Sequence, residues 1–292
     1  MPEIEVLAPA KINLTLHVTG QRGDGYHLLD SLVTFAPVGD RLRIASADAL
    51  SLAVDGPEAA GVPADARNLV LKMAALLPAG RGAALQLTKT LPAASGIGGG
   101  SSDAAAALRG LAAFWHLGPG DLPAAGQLAA LGADVPMCLT PEPLRAQGIG
   151  ADLSPVALPP LPAILVNPRV EVPTPAVFKA LTQKGNPPMP PALPHFADAA
   201  ALIGWLAQQR NDLQAPAQAV QPLITTALAA LQALPAARLA RMSGSGATCF
   251  VLFATLPEAE AAYRILSAAH PDWWSACTCL GDQRAAAAPR AI

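Results

Sequence analysis

Nine consecutive residues, Ser95-Gly96-Ile97-Gly98-Gly99-Gly100-Ser101-Ser102-Asp103, place four glycines and three hydroxyls directly ahead of an alanine-rich stretch. Glycine lets a backbone take positive φ and approach a ligand closely. N–H groups at a helix start, with the helix dipole behind them, favour an anion, and several in succession can nest a di- or triphosphate. Pro92, Ala93 and Ala94 lead into this candidate phosphate cradle. It is not a Walker A loop, because Ser101 stands where the lysine belongs. Nor is it a dinucleotide fingerprint: Gly96-x-Gly98 is followed by Ser101, and Gly98-x-Gly100 by Asp103, where a third glycine is required. A flexible turn capping a helix is the plain alternative. The density of glycine and the paired hydroxyls favour phosphate.

A second candidate is Asp134, set in Gly132-Ala133-Asp134-Val135-Pro136. An apolar setting of this kind desolvates a carboxylate and makes it a stronger base, suited to taking a proton from an alcohol. On the residues alone, a turn or helix-end role ahead of an apolar strand is the plainer reading.

These groups need a scaffold. Alternating or clustered β-branched residues predict strands over 4–7, 12–18 and 28–35, with a turn-rich link over 20–25. Segments 41–45 and 50–54 read as a hairpin, 68–77 as a helix, and 83–88 as the strand that feeds the glycine loop. The strongest helical signal, 104–115, is headed by Ser101, Ser102 and Asp103 as capping residues. Proline-dense stretches at 154–162 and 186–194 suggest a boundary and a loop, dividing the chain into 1–153 and 154–292. Beyond the boundary come strand 163–166 and helices 175–181, 200–209 and 218–234. Strands 238–241 and 248–253, helix 257–269 and strand 275–280 complete an order that fits a split βαβ sandwich.

Composition sets the limits. The chain has 292 residues, 52% of them hydrophobic, so a sizeable core can form. Proline and glycine stay below the roughly 25–30% expected of low-complexity chains. A net charge of −2, without long runs of one sign, argues against nucleic acid or an anionic membrane as the main partner. Four cysteines without metal-site spacing read as reduced thiols. With no basic-then-apolar leader and no long apolar run, a cytoplasmic protein is expected, as a monomer or weak homodimer.

The glycine loop resembles the phosphate-binding motif of the galactokinase–homoserine kinase–mevalonate kinase–phosphomevalonate kinase family. Other blocks fall in the same order: Ala8-Pro9-Ala10-Lys11-Ile12-Asn13-Leu14, Gly23-Asp24-Gly25-Tyr26-His27-Leu28, Pro173-Thr174-Pro175, Asn211-Asp212-Leu213 and Met242-Ser243-Gly244-Ser245-Gly246-Ala247. Ala94 and Ser95 depart from it, occupying positions where glycine is frequent. The resemblance implies a two-domain α/β (α+β) architecture: an N-terminal ribosomal protein S5 domain 2-like domain and a C-terminal ferredoxin-like one. It implies ATP as phosphoryl donor, with Mg²⁺, although no dedicated carboxylate cage for the ion is evident.

By the same resemblance Lys11 and Asp134 are the catalytic pair. Asn68 and Lys89 are contacts on the adenine side, and Ser243, Gly244, Ser245 and Gly246 lie against the phosphates or brace the loop. The Gly-Ile-Gly-Gly-Gly-Ser-Ser-Asp form points to the branch that phosphorylates the C2 hydroxyl of a cytidine-diphosphate-linked methylerythritol in the non-mevalonate isoprenoid route. For that acceptor the resemblance assigns Asn13, Tyr26, His27, Thr174 and Phe178. Tyr26 and Phe178 would sandwich the pyrimidine while His27 reads its polar edge.

Overall fold

The computed structural model describes residues 3–292. The first part of the chain builds β1 (Ile4–Asn13), β2 (His17–Gln21), β3 (His27–Ala45), β4 (Leu50–Asp55), α1 (Leu69–Ala74) and β5 (Ala83–Thr88). After the glycine loop come α2 (Gly99–Phe114), α3 (Ala125–Leu131), α4 (Val135–Leu139), β6 (Leu144–Gly148) and β7 (Asp152–Pro155). The second part follows as β8 (Leu161–Asn167), α5 (Thr174–Ala180), α6 (Ala199–Leu206), α7 (Gln214–Val220) and α8 (Leu223–Gln232). It ends with β9 (Leu239–Met242), β10 (Cys249–Leu252), α9 (Leu256–Ala269), β11 (Trp274–Leu280) and β12 (Arg290–Ala291).

An eight-stranded sheet is organised on β3, whose 19 residues pair antiparallel with β1, β2, β5 and β6 at successive registers. The expected hairpin between 41–45 and 50–54 does not form. Strand β5 inserts between β3 and β4 and pairs parallel with β4, the connection running through α1. A parallel pair needs such a crossover, and local alternation cannot reveal it. Helix α2 lies across β1 and β3, with Ala104 to Ala107 fully buried. Its small side chains let it approach closely: a Cβ at Gly110 would strike Ile44 at 2.5 Å.

The second sheet has the order β11-β8-β10-β9, all antiparallel, with α9 linking β10 to β11. This is the split βαβ pattern expected of 163–280. The expected helix 218–234 is two helices, since Gln221-Pro222 separates α7 from α8. Strand β8 is buried on both faces. Ile164 and Val166 face the core under α5, α7, α8 and α9. Ala163 and Leu165 face a core shared with Ile12, Leu14, Leu32 and Ile97 of the large sheet and glycine loop. The two sheets are thus joined by one continuous apolar layer, and β12 carries the chain end back onto β1.

The proline-rich segment before α6 is tied down by an ion pair. Arg145 on β6 makes a two-pronged bond to Asp30 on β3 and donates to the carbonyls of Met189, Pro190 and Pro191. Asp30 in turn accepts from the Met189 N–H at 2.8 Å. Both side chains are buried, so removing one leaves an uncompensated charge in the interior. Arg145→Ala is therefore expected to destabilise the fold by about 3–5 kcal/mol, measured by urea unfolding; a loss below about 1 kcal/mol would show the pair to be solvated.

Candidate active site

The glycine loop hangs between the two sheets. Its Ile97 carbonyl accepts from the Lys11 N–H at 2.9 Å, its Ser95 carbonyl from the Thr248 N–H at 3.1 Å. Ser95 Oγ is satisfied by the Pro92 carbonyl, so a serine fits here. Ala94 sits at φ 48°, a left-handed conformation that costs an alanine about 1–2 kcal/mol relative to glycine's freedom. Helix α2 begins at Gly99, not at Ala104, with Gly98 at φ 67° as its cap and no side-chain cap bond. Ser101 and Ser102 therefore lie inside the first turn and Asp103 just beyond it, instead of heading the helix. The opening amides of that turn lack intrahelical acceptors and, with the dipole, present positive potential.

Those amides open onto a cavity of about 600 Å³ lined by Gly98, Gly99, Gly100 and Ser101 on one side and by Thr174 and Phe178 of α5 on another. Lys11, Asn13 and Asp134 project into it. Lys11 Nζ lies 3.1 Å from Asp134 Oδ2, bringing together residues more than a hundred positions apart. Lys11 sits near the end of β1. Asp134 caps the short helix α4, where a strand was expected to follow. Nor is Asp134 the desolvated partner: its side chain is 37% exposed and Lys11 only 4%. The carboxylate faces the cavity, and the ammonium is held beneath it by Asn13 Oδ1 at 2.6 Å. A Cβ at Gly98 would stand 3.2 Å from Lys11 Cε, so the glycine leaves room for the amine.

The other expected residues separate into distinct roles. Asn68 and Lys89 line a smaller cavity of about 280 Å³ with Pro92, Ala93 and Ala94, next to the glycine loop. Asn68 is already engaged as the cap of α1, accepting from Val70 N and donating to Pro63 O. Lys89 is committed too, bonded to Asp40 and, at 2.7 Å, to Asp103. Ser102 Oγ is buried on the Pro9 carbonyl, and the Ile97 side chain is fully buried in the shared core. Ser243 is a brace: its Oγ accepts from Asn13 N and donates to Gly96 O. Ser245 Oγ meets Thr174 Oγ1 at 2.8 Å across the cavity mouth. The aromatic pair differs from the expected sandwich. His27 stacks on Phe178 with centroids 4.6 Å apart, while Tyr26 stands 65% exposed on the turn.

Sequence reading missed the ion cluster beneath the loop. Asp40 on β3 accepts from Lys89 and from the Thr90 and Leu91 N–H groups, pinning the start of the loop. Asp103 shares Lys89 but leaves Oδ1 buried without a partner. Burial drives the Asp103 carboxyl up to about 8, the Lys89 ammonium pulling it only partway back. No spacing signal links Asp40 to Lys89, since the pairing of β3 with β5 creates their contact.

The models for the GHMP kinases N terminal domain and the GHMP kinases C terminal region match residues 68–141 and 191–272. A Roseobacter denitrificans protein named 4-diphosphocytidyl-2-C-methyl-D-erythritol kinase is 57% identical over 98% of this chain and 97% of its own length. The chain belongs to the GHMP kinase family. A Dinoroseobacter shibae relative of the same name is 62% identical over 94% of this chain and 93% of its own. Among solved structures, a 4-(cytidine 5'-diphospho)-2C-methyl-D-erythritol kinase aligns at TM-score 0.77 and 34% identity, covering 95% of this chain and 99% of that one. A Cytophaga hutchinsonii homoserine kinase aligns at TM-score 0.64 and 19% identity over 99% and 97%, a likeness of fold alone. The GHMP kinase architecture expected from the glycine loop is thus the one found.

The ion cluster carries a prediction. Asp40 has three donors to satisfy and Asp103 one. Asp40→Asn should therefore cost about 3 kcal/mol or more, while Asp103→Asn, which keeps one oxygen for Lys89 and places its NH₂ where Oδ1 already lacks a partner, should cost less, about 1–2 kcal/mol. Denaturant unfolding of both variants checks the order; equal losses would mean that the two carboxylates carry equal shares.

Proposed function

We propose that the chain is an ATP-dependent kinase that phosphorylates the C2 hydroxyl of 4-diphosphocytidyl-2-C-methyl-D-erythritol, in the non-mevalonate route to isoprenoid precursors. The observation that carries this is the Lys11–Asp134 pair in a cavity that runs from the start of α2 to Phe178. The acceptor hydroxyl oxygen attacks the γ-phosphorus of ATP, the bond from that phosphorus to the β,γ-bridging oxygen breaks, and ADP leaves. Asp134, exposed to the cavity, takes the hydroxyl proton. The Lys11 ammonium lies beside the transferring group, where it offsets developing negative charge. The amides opening α2 hold the β- and γ-phosphates in line, so that positioning supplies much of the rate.

Magnesium fits as an ion brought by the nucleotide. Among the described residues no group of three or more His, Cys, Asp or Glu could hold a metal, and magnesium binds chiefly phosphate oxygens and water. Ser101 and Asp134 line the cavity where such an ion would sit, whereas Ser102 and Asp103 are turned away. When bound, the ion neutralises charge on the phosphate oxygens. The enzyme is read as cytoplasmic, a monomer or weak homodimer; no described helix is long and apolar enough to cross a membrane. The proposed division into 1–153 and 154–292 cuts β7 (Asp152–Pro155), a few residues before the change of sheet at β8, and the residues read as holding the acceptor come from both halves. Asn13 and His27 come from the first and Thr174 and Phe178 from the second.

Asp134→Asn is expected to leave ATP binding nearly intact and to cut turnover by roughly 10²-fold or more. Near-normal turnover would remove Asp134 from the base role. The same assay with homoserine in place of the cytidyl acceptor tests the branch: transfer to homoserine alone would overturn the acceptor assignment.

His27 supplies a pH test. Burial, and then the positive charge of Lys184, hold its imidazole below the usual histidine range. Its Nε2 is buried without a hydrogen-bond partner, so a pyrimidine edge would reach it only once the His27–Phe178 stack shifts. The neutral ring is thus the working form, and lowering the pH through and below about 6.5 should protonate it. KM for the cytidyl acceptor should rise with that protonation while KM for ATP does not, and His27→Asn should flatten the dependence. A flat profile in the unmodified enzyme would separate His27 from the acceptor.

A further inference from the structure

Lys11 is held by a side chain whose own orientation is ambiguous. An asparagine amide presents an acceptor on one side and donors on the other, and only the oxygen suits an ammonium. Asn13 Oδ1 faces Lys11 Nζ at 2.6 Å, and Asn13 Nδ2 faces Ser31 Oγ at 2.8 Å. Ser31 Oγ is 2.5 Å from the Thr15 carbonyl. All four residues are buried.

The two ends of this chain have fixed polarity. The Thr15 carbonyl can only accept, so the single hydroxyl proton of Ser31 is committed to it. Ser31 Oγ can then only accept from Asn13, which turns the NH₂ group away from Lys11 and the oxygen towards it. At the other end the ammonium can only donate. We propose that Ser31 is a positioning residue for the Lys11 ammonium, acting through the Asn13 amide. This rests on the reading of Lys11 as the catalytic amine.

The backbone supports the same arrangement independently. Asn13 N donates to Ser243 Oγ at 3.0 Å, so the Cα of Asn13 is anchored to the brace of the glycine loop, and only the side-chain amide is free to turn. Thr15 Oγ1 accepts from Leu32 N at 2.8 Å, which keeps the Thr15 and Ser31 segments in register. Without the Ser31 hydroxyl, only the ammonium itself favours one face of the amide over the other. Its NH₂ group would be left buried and unpaired in one orientation and turned towards an ammonium in the other.

The test is a double-mutant cycle on steady-state kinetics, with thermal unfolding of each variant. Ser31→Ala is expected to lower kcat about tenfold or more with KM for ATP unchanged, and Ser31→Thr, which keeps the hydroxyl, to restore most of it. In an Asn13→Ala background, Ser31→Ala should lower kcat by less than about twofold, because the group it orients is gone. Should Ser31→Ala not fold, Ser31→Cys, nearly isosteric but a weak acceptor, serves the same comparison. Unchanged kcat in Ser31→Ala, or the full tenfold loss repeated in the Asn13→Ala background, overturns the proposal. Lys11→Met separates the layers: if that variant keeps normal turnover the reading of Lys11 fails, whereas its inactivity beside an unaffected Ser31→Ala sinks the positioning role alone.

Discussion

The active cavity depends on one close backbone approach. Gly96 of the phosphate loop and the turn Ser243–Gly246 between β9 and β10 lie back to back, so near that a Cβ on Gly96 would be 2.6 Å from the Gly246 carbonyl oxygen and 2.7 Å from that of Ser243. A Cβ on Gly244 would meet the Gly96 carbonyl oxygen at 2.8 Å. Real side chains do not tolerate such distances, and both glycines also have positive φ. This contact joins the eight-stranded sheet to the four-stranded one at the point where the phosphate cradle leaves the core. Ser243 Oγ completes the join, bonded at once to Asn13 N and Gly96 O. The position of Asn13, and through it of Lys11, is therefore referred to the same turn that shapes the cradle.

From that contact the distribution of charge follows. The loop is supported from below by Asp40, Lys89 and Asp103, three ionisable groups buried together. Burying charge is costly unless donors and acceptors are matched. Here the matched bonds run to the backbone of Thr90 and Leu91, so the cost is offset where rigidity of the loop is needed. Above the loop the arrangement is open. Asp134 is left partly exposed beside Lys11, and the opening amides of α2 have no intrahelical partner, so both face the cavity. Preorganised dipoles aimed at an empty position stabilise charge that develops there later without paying for reorganisation.

Much of this was legible in the chain. The glycine density of 95–103, the strand before it and the alanine-rich helix after it are local features, and the structure has the loop between that strand and that helix. The alternation and helix order after residue 160 suffice for the split βαβ sheet. What escaped is whatever depends on pairing at a distance. The β4–β5 crossover, the Asp40–Lys89 contact and the Arg145–Asp30 tie each join segments with no local mark of the other. Lys89 is instructive: the family resemblance assigns it to the nucleotide, yet two of the three donors of its ammonium are committed to the buried carboxyls of Asp40 and Asp103. The start of α2 was misplaced because glycines are poor helix formers in isolation. Here tertiary packing overrides that preference.

The motif Asn211-Asp212-Leu213 shows how a matched block acquires meaning only in three dimensions. Nothing in its chemistry suggested a role beyond the resemblance. In the fold, Asn211 Nδ2 donates to the carbonyls of Met242 and Gly244, gripping the Ser243 turn from outside. Asp212 accepts from Val18 N, and its own N–H bonds to the Leu16 carbonyl, so the segment after β1 is fastened to the same turn. The strand that carries Lys11 and the turn that braces the cradle are thus clamped twice, by Ser243 within the site and by Asn211 behind it. Across the cavity mouth Thr174 and Ser245, two neutral hydroxyls, link α5 to this assembly, while Val177 of α5 is buried in a core with Ile164 and Leu213 and Phe178 stacks on His27. A bond between two such hydroxyls is worth about 1 kcal/mol net, far less than the buried clamps. The α5 wall that carries Phe178 is therefore held by apolar burial more than by hydrogen bonds.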